Sequence, residues 1–254
     1  AVEVAAVPDM RFPRTHHNAV VLPTGEVLVV GGNTSGKQFL DVDFRLNPNP
    51  SNANDKWPTD MYTESVLTPE LYDPASNTWR DLNDMIVPRN YHSVGILLQD
   101  GTVLAAGGGL CGDPGANGQQ PCNHPDGQVF KPPYLFKNNG AEAPRPVIGS
   151  VSGSNVGNDG TGLPKIGYNK EFTVTMSNLG EGSSISRFTM IKLSAVTHSI
   201  NTDVRFLEVT FTGSGTTYTL TTDEKNTVLT PGYYFLFALN DNGVPSVAQI
   251  VQIN

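Results

Sequence analysis

Charged side chains are scarce in this sequence, and their scarcity excludes several classes of protein. They make up 16% of the 254 residues, too few for the surface of a helical bundle, which needs many Glu, Lys and Arg side chains. Lys and Arg number 16 against 24 Asp and Glu, so the net charge of −8 lacks the basic footprint of a nucleic-acid-binding protein. No apolar run approaches the roughly 18 residues of a membrane-spanning helix.

Glycine and proline, by contrast, are abundant, and helical periodicity is nearly absent. There are 26 Gly and 19 Pro, and short Val, Ile, Leu, Thr and Tyr runs lie between clusters of Gly, Pro, Asn and Asp. With 38% hydrophobic residues the chain is too apolar and too weakly charged to be disordered. The sequence therefore predicts a turn-rich all-β protein.

An internal repeat organises the first half of the chain. PRTHHNAVVLPTGEVLVVGG (Pro13–Gly32) is matched by PRNYHSVGILLQDGTVLAAGG (Pro88–Gly108). Each copy contains an apolar strand, a turn, a second apolar strand and a Gly-Gly stop, which predicts a β-hairpin. PELYDPASNTW (Pro69–Trp79) follows the first copy, and DGQVFKPPYLF (Asp126–Phe136) follows the second.

This order of hairpin, Gly-Gly, strand, turn and Trp is typical of the four-stranded blade of a kelch-type propeller. Two unrelated hairpins in a sandwich are the alternative. The two repeats account for about two blades, whereas propellers close with roughly four to eight. Two blades alone would leave long unpaired edges, so we expect residues 1–146 to be an incomplete propeller.

The segment PRPVIGS (Pro144–Ser150) marks the predicted start of a second domain, residues 147–254. Short alternating strands with Gly and Asn at their turns predict an immunoglobulin-like β-sandwich there, rather than a further blade. The predicted strands cover Glu171–Met176, Arg187–Leu193, Val204–Thr212, Thr217–Thr221, Tyr233–Leu239 and Ala248–Ile253.

Two cysteines and one sequon bear on the cellular compartment. Cys111 and Cys122 lie in a Gly-rich segment, and their spacing fits no common zinc pattern; a disulfide and two free thiols are both compatible with it. The low charge and the Asn, Thr and Ser content are typical of extracellular proteins and favour the disulfide. The sequon at Asn33 predicts a glycosylation site. No signal peptide opens the chain, so we expect either a removed leader or a start within a larger protein.

Three residues stand out as candidates for chemistry. Tyr91 and His92 lie at the start of the predicted innermost strand of the second blade, where strand ends face the propeller axis. Adjacent strand residues point to opposite faces, so both reach one site only at a strand end or a bend. His198 lies in AVTHSINTD, where we expect the sandwich domain to send a loop back towards that axis.

Long motifs in these regions resemble galactose oxidase and the glyoxal oxidase-like copper radical oxidases. They are RNYHS…DGTVLAAGGGLCGD, QVFKPPYLF, THSINTD and PGYYFLFALNDNGVPSVA, and the similarity runs from about Arg11 to the last residue. The resemblance implies the C-terminal blades of a seven-bladed kelch propeller followed by an immunoglobulin-like domain. It also implies secreted enzymes that oxidise primary alcohols or aldehydes with O₂ and release H₂O₂.

The resemblance further implies one copper ion held by Tyr91, His92 and His198 together with a residue outside this chain, with Tyr91 as general base; neutral imidazole and phenol ligands suit Cu(II). We therefore expect the chain alone to bind copper poorly and to oxidise nothing. His16 and Phe39 match positions that line the family's substrate pocket, and Cys111 and Cys122 match its disulfide. The family's Tyr–Cys radical cofactor would lie in an N-terminal propeller portion outside this chain.

Three interpretations of this chain are compatible with the resemblance. In the first, the chain is the C-terminal piece of a copper radical oxidase, docked to an N-terminal portion that forms a second chain and acting on a small alcohol, aldehyde or carbohydrate. In the second, it is a non-catalytic extracellular module that binds glycans or cell-wall polymers. In the third, it is a truncated chain with no activity of its own.

Overall fold

The computed structural model describes residues 5–34, 65–109 and 124–254. These residues form strands and turns with one short 3-10 helix, Pro133–Leu135, which confirms the all-β prediction. The strands are β1 (Asn18–Val21), β2 (Val27–Val30), β3 (Glu70–Asp73), β4 (Thr78–Asp81), β5 (Ser93–Leu97), β6 (Val103–Gly107), β7 (Gly127–Phe130), β8 (Pro146–Ser152), β9 (Val156–Asn158), β10 (Pro164–Ile166), β11 (Glu171–Leu179), β12 (Ile185–Lys192), β13 (Val196–Thr197), β14 (Ile200–Asn201), β15 (Phe206–Glu208), β16 (Thr210–Ser214), β17 (Thr217–Thr221), β18 (Gly232–Asn240) and β19 (Gln249–Ile253).

The two sequence repeats form two blade sheets. The first has the antiparallel order β1-β2-β3-β4, as a kelch-type blade requires, and the second has the order β5-β6-β7. The two hairpins have the same turn: Gly25 donates to the Leu22 carbonyl and Gly101 to the Leu98 carbonyl, each at 2.9 Å. The two glycines have φ of 89° and 77°. Glycine is required there because the left-handed conformation strains other residues. After β7 the chain forms the 3-10 helix where the first blade has β4.

A buried arginine ties each blade together at the same place in the repeat. Arg14 donates to the Gly31 carbonyl at 3.0 Å and pairs with Glu70, and neither side chain is exposed. Arg89 donates to the Gly107 carbonyl at 2.9 Å and pairs with Asp126 at 3.0 Å. Each arginine thus joins the start of the first strand to the Gly-Gly end of the second strand.

The C-terminal part is a sandwich of a six-stranded sheet, β15-β12-β18-β19-β10-β9, and a four-stranded sheet, β16-β17-β11-β8. The strands predicted in this part are present, with one correction. Val204–Thr212, predicted as one strand, is split into β15 and β16, which belong to different sheets. The chain crosses between the sheets at the buried Val209, which belongs to the sandwich core. The domain boundary between residues 146 and 147 stays a prediction.

A second apolar core joins the blades to the sandwich. Blade residues such as Leu28 and Val103 pack in one cluster with Phe237 and Ala248 of the sandwich. A polar contact adds to this junction. Arg145, directly before β8, donates to the carbonyl of Asp100 in the turn between β5 and β6 at 2.6 Å. The blades and the sandwich therefore form one continuous support for the loops at the blade ends.

Several predicted features lie outside the described residues, namely Cys111, Cys122 and Phe39. In the described ranges no helix is long and apolar enough to cross a membrane.

Candidate metal centre

Tyr91 and His92 lie in the turn directly before β5, at the end of the second blade. Their backbone is held against the first blade, because Gly32 donates to the Arg89 carbonyl at 2.8 Å. This close approach depends on glycine: a methyl group added to Gly31, which has φ of 72°, would lie 2.1 Å from that carbonyl oxygen. The Gly-Gly stop of one repeat therefore fixes the position of the Tyr91–His92 pair in the next.

His198 lies at the tip of a two-stranded hairpin that the sandwich domain sends back to the blades. Thr197 pairs with Ile200, so the turn consists of His198 and Ser199 alone, with φ of 53° and 66°. Positive φ at both central residues defines a type I′ turn, which favours Asn-Gly. The hairpin packs against both blades, β13 against β5 and β14 against β1.

The hairpin brings His198 against the residues at the end of β5. The Nε2 atoms of His92 and His198 are 3.2 Å apart, although 106 residues separate them in sequence. The Tyr91 ring lies on that of His92 with centroids 3.9 Å apart, and its centroid is 5.6 Å from that of His198. Three of the predicted site residues thus converge, and their role as metal ligands stays a prediction.

The backbone of this cluster is strained. Of the six non-glycine residues with positive φ in the described part of the chain, four belong to it: His16, His92, His198 and Ser199. Histidine enters this conformation more readily than most residues, yet each such residue costs about 1–3 kcal/mol. Strain of this kind collects at functional sites, where the surrounding structure holds residues in place.

His16 belongs to this cluster although it lies on the first blade, and His17 follows it in the sequence. The His16 ring meets the Tyr91 ring edge-on, with centroids 5.5 Å apart, so the predicted pocket residue contacts a predicted ligand. His17 occupies in the first repeat the position of His92 in the second. Burial of His17, with Arg14 nearby, lowers the pKa of its imidazole and keeps it neutral at pH 7.

The glycosylation site at Asn33 stays a prediction, and its surroundings bear on it. Asn33 is fully buried, and its side-chain carbonyl lies 3.3 Å from the Thr15 hydroxyl, which donates to it. Burial of this side chain is unfavourable for a glycan, and its backbone forms bridges with residues 15 and 65.

The donor chemistry of the cluster fits copper. Among the described residues no group of three or more His, Cys, Asp or Glu side chains converges, so the donors here are two imidazoles beside a phenol. The Nε2 atoms of His92 and His198, 3.2 Å apart, are close enough to bind a single ion. Imidazole is a preferred copper ligand.

Comparisons with known proteins agree with the fold. Residues 153–253 match the family model "Galactose oxidase-like, Early set domain". Galactose oxidase of Gibberella zeae is 35% identical over 98% of this chain, and aldehyde oxidase GLOX1 of Arabidopsis thaliana is 28% identical over 96%. A solved fungal alcohol oxidase of the AA5 family, in complex with copper, superposes on the whole chain with a TM-score of 0.80 and 36% identity.

The C-terminal part of the chain therefore contains a galactose oxidase-like early set domain. More particularly, the chain is homologous to galactose oxidase and to the aldehyde oxidases, which confirms the family predicted from its motifs. It spans 31% of the length of galactose oxidase, 36% of aldehyde oxidase GLOX1 and 45% of the solved alcohol oxidase.

Two residues of the site escaped the sequence analysis. The Gly109 carbonyl lies 3.2 Å from His92 Nδ1, and the Thr197 hydroxyl lies 2.6 Å from His198 Nδ1. Gly109 directly follows the Gly-Gly stop and Thr197 directly precedes His198, but nothing in the sequence indicates that they contact the imidazoles.

Proposed function

We propose that this chain is the C-terminal part of a copper radical oxidase, which oxidises primary alcohols or aldehydes with O₂ and releases H₂O₂. The observation that carries the proposal is the 3.2 Å approach of the His92 and His198 Nε2 atoms beside the Tyr91 ring. Two imidazoles delivered by different parts of the chain, on a strained backbone, are hard to explain by packing alone.

The histidines would hold the copper ion, and Tyr91 would handle a proton. When bound, copper would supply one-electron redox chemistry. Tyr91 lies against both imidazoles, where its phenolate would accept the hydroxyl proton of a bound alcohol as a general base. The hydrogen on carbon would go to a radical tyrosine outside this chain, which we propose forms the family's Tyr–Cys cofactor.

An N-terminal portion of the same protein would complete the propeller. One face of the second blade sheet packs on the first blade at Gly95. On its other face, Ile96, Leu104 and Val129 form a cross-strand row, and Val129 is 57% exposed. Apolar residues on both faces are typical of sheets covered on both sides, so this row supports a further blade docked here. The chain spans less than half the length of each of these relatives, which supports a separate N-terminal portion as the partner.

The substrate would be a small alcohol, aldehyde or carbohydrate, since the relatives are named for galactose, aldehyde and alcohol oxidation. We propose His16 as a pocket residue because its ring contacts Tyr91. We propose Phe39 as a second one because it matches a pocket position of the family. We also propose an extracellular location and a Cys111–Cys122 disulfide.

A copper titration tests the proposal. Cu(II) binding would be followed for the wild type, for His92→Gln and for His198→Gln, with His17→Gln as the matched control from the other repeat. We expect each of the first two variants to bind Cu(II) more weakly than the wild type and the control to bind it equally well. Equal binding by all four proteins would overturn the assignment of the ligands.

The oxidase reaction needs a separate test on the protein from its native source. Intact-mass analysis would identify polypeptides that co-purify with the chain, and a peroxidase-coupled assay would measure H₂O₂ with galactose, a simple primary alcohol and an aldehyde. A partner that is still about 2 Da lighter than its sequence after its disulfides have been reduced would reveal a thioether between Tyr and Cys. A copper-loaded complex that releases no H₂O₂ from any of the three would refute the reaction.

A further inference from the structure

We propose that Thr197 is a positioning residue whose hydroxyl lets His198 change tautomer when a cation binds. This inference rests on the proposed function, since it assigns the cation to the His92–His198 pair. The two ring nitrogens that do not face each other, Nδ1 of His92 and Nδ1 of His198, have different hydrogen-bond partners.

His92 has a fixed tautomer. Its Nδ1 atom lies 3.2 Å from the carbonyl oxygen of Gly109. A carbonyl oxygen can only accept a hydrogen bond, so the proton of the neutral ring is on Nδ1. The lone pair of His92 Nε2 therefore always points at His198.

His198 has a partner of the other kind. The Thr197 hydroxyl, 2.6 Å from His198 Nδ1, can either donate or accept. Without a cation, the hydroxyl donates to Nδ1, and His198 Nε2–H donates to His92 Nε2 across the 3.2 Å gap. Every polar atom of the pair is then satisfied.

With a cation between the two rings, the His198 Nε2 lone pair is needed for the ion. The ring proton then resides on Nδ1 and is donated to the Thr197 oxygen, once the hydroxyl has rotated. His198 is neutral in both arrangements, so one proton changes place and none is gained or lost. A backbone carbonyl at this position would allow only the second arrangement, and a methyl group would support neither.

The first test compares copper affinities. Partners of this kind hold the ring orientation of metal-binding histidines, and removing one typically lowers metal affinity about 10–100-fold. We expect that loss for Thr197→Val and near wild-type affinity for Thr197→Ser, which keeps the hydroxyl. Thr202→Val is the matched control: the Thr202 hydroxyl donates to the Ala195 carbonyl at 3.1 Å, on the same hairpin but away from His198.

Wild-type affinity in Thr197→Val would overturn the proposal, because solvent would then serve as well as the hydroxyl. An equal loss in Thr202→Val would overturn it too, because the effect would come from folding of the hairpin. In a wild type that binds no copper, the proposed function fails, and a second measurement decides the role of Thr197.

That measurement is the ¹⁵N NMR spectrum of the histidine rings in the metal-free chain. We expect His198 to carry its proton on Nε2, and its Nδ1 to show a hydrogen-bonded chemical shift that Thr197→Ser keeps and Thr197→Val loses. Adding Zn²⁺, a diamagnetic probe, should move the proton to Nδ1. An Nδ1 resonance that is the same in wild type and Thr197→Val would refute the proposed hydrogen bond.

Discussion

The contact between Gly31 and the Arg89 carbonyl predicts a large effect for a small substitution, Gly31→Ala. At its φ of 72° an alanine costs about 1–2 kcal/mol. The new methyl group would lie 2.1 Å from the Arg89 carbonyl oxygen, so the blades must separate and the Gly32–Arg89 hydrogen bond is lost. That loss adds at least about 1 kcal/mol, and we expect a total destabilisation of about 2–4 kcal/mol.

Gly140→Ala is the control variant, which introduces the backbone strain of a positive φ without a steric clash. Gly140 has φ of 82°, and a methyl group there would meet no atom within 4 Å, so only the conformational cost of about 1–2 kcal/mol applies. Urea unfolding of both variants gives the two free energies, and copper affinity should fall in Gly31→Ala alone because Tyr91 and His92 move. Equal destabilisation, or unchanged copper affinity in Gly31→Ala, would refute this account of blade packing.

Three further predictions concern single side chains. Ser199→Gly should raise the midpoint of thermal unfolding, because glycine accepts the φ of 66° at the hairpin tip; a lower midpoint would contradict the strain. Glu70→Gln should cost about 3–5 kcal/mol in urea unfolding, because it leaves the buried Arg14 charge unpaired, and a cost below about 1 kcal/mol would contradict this. The hydrogen bond from Arg89 lowers the pKa of Asp126 below 3.8, so this carboxylate stabilises the fold above its ordinary pKa and loses that effect as the pH falls through its folded pKa. Between pH 2 and 5 the midpoint of thermal unfolding should therefore decrease less steeply with falling pH in Asp126→Asn than in the wild type. The same pH dependence in both proteins would contradict the assignment.

Local structure was largely predictable from the sequence, because turns and strands have local signals. The two hairpins could be located from their glycine turns, and Thr217–Thr221 was predicted with its observed bounds. The split at Val209 was not predictable, because a strand that changes sheets keeps its alternating pattern.

The site was predictable only in part, since its geometry depends on long-range packing. Tyr91, His92 and His198 could be selected from their motifs, but their convergence requires the hairpin to pack on the blades. The burial of Asn33 was missed because a sequon gives no information on solvent access. The role of Gly31 was equally hidden, since the carbonyl that excludes a side chain belongs to the other repeat.

The central claim is that His92 and His198 bind the same copper ion. Pulsed EPR of the Cu(II)-loaded chain tests it most directly, because coupling to the remote ring nitrogens counts the bound imidazoles. We expect two imidazoles in the wild type and one in each of His92→Gln and His198→Gln. A wild-type spectrum with a single imidazole, or with two that persist in either variant, would contradict it.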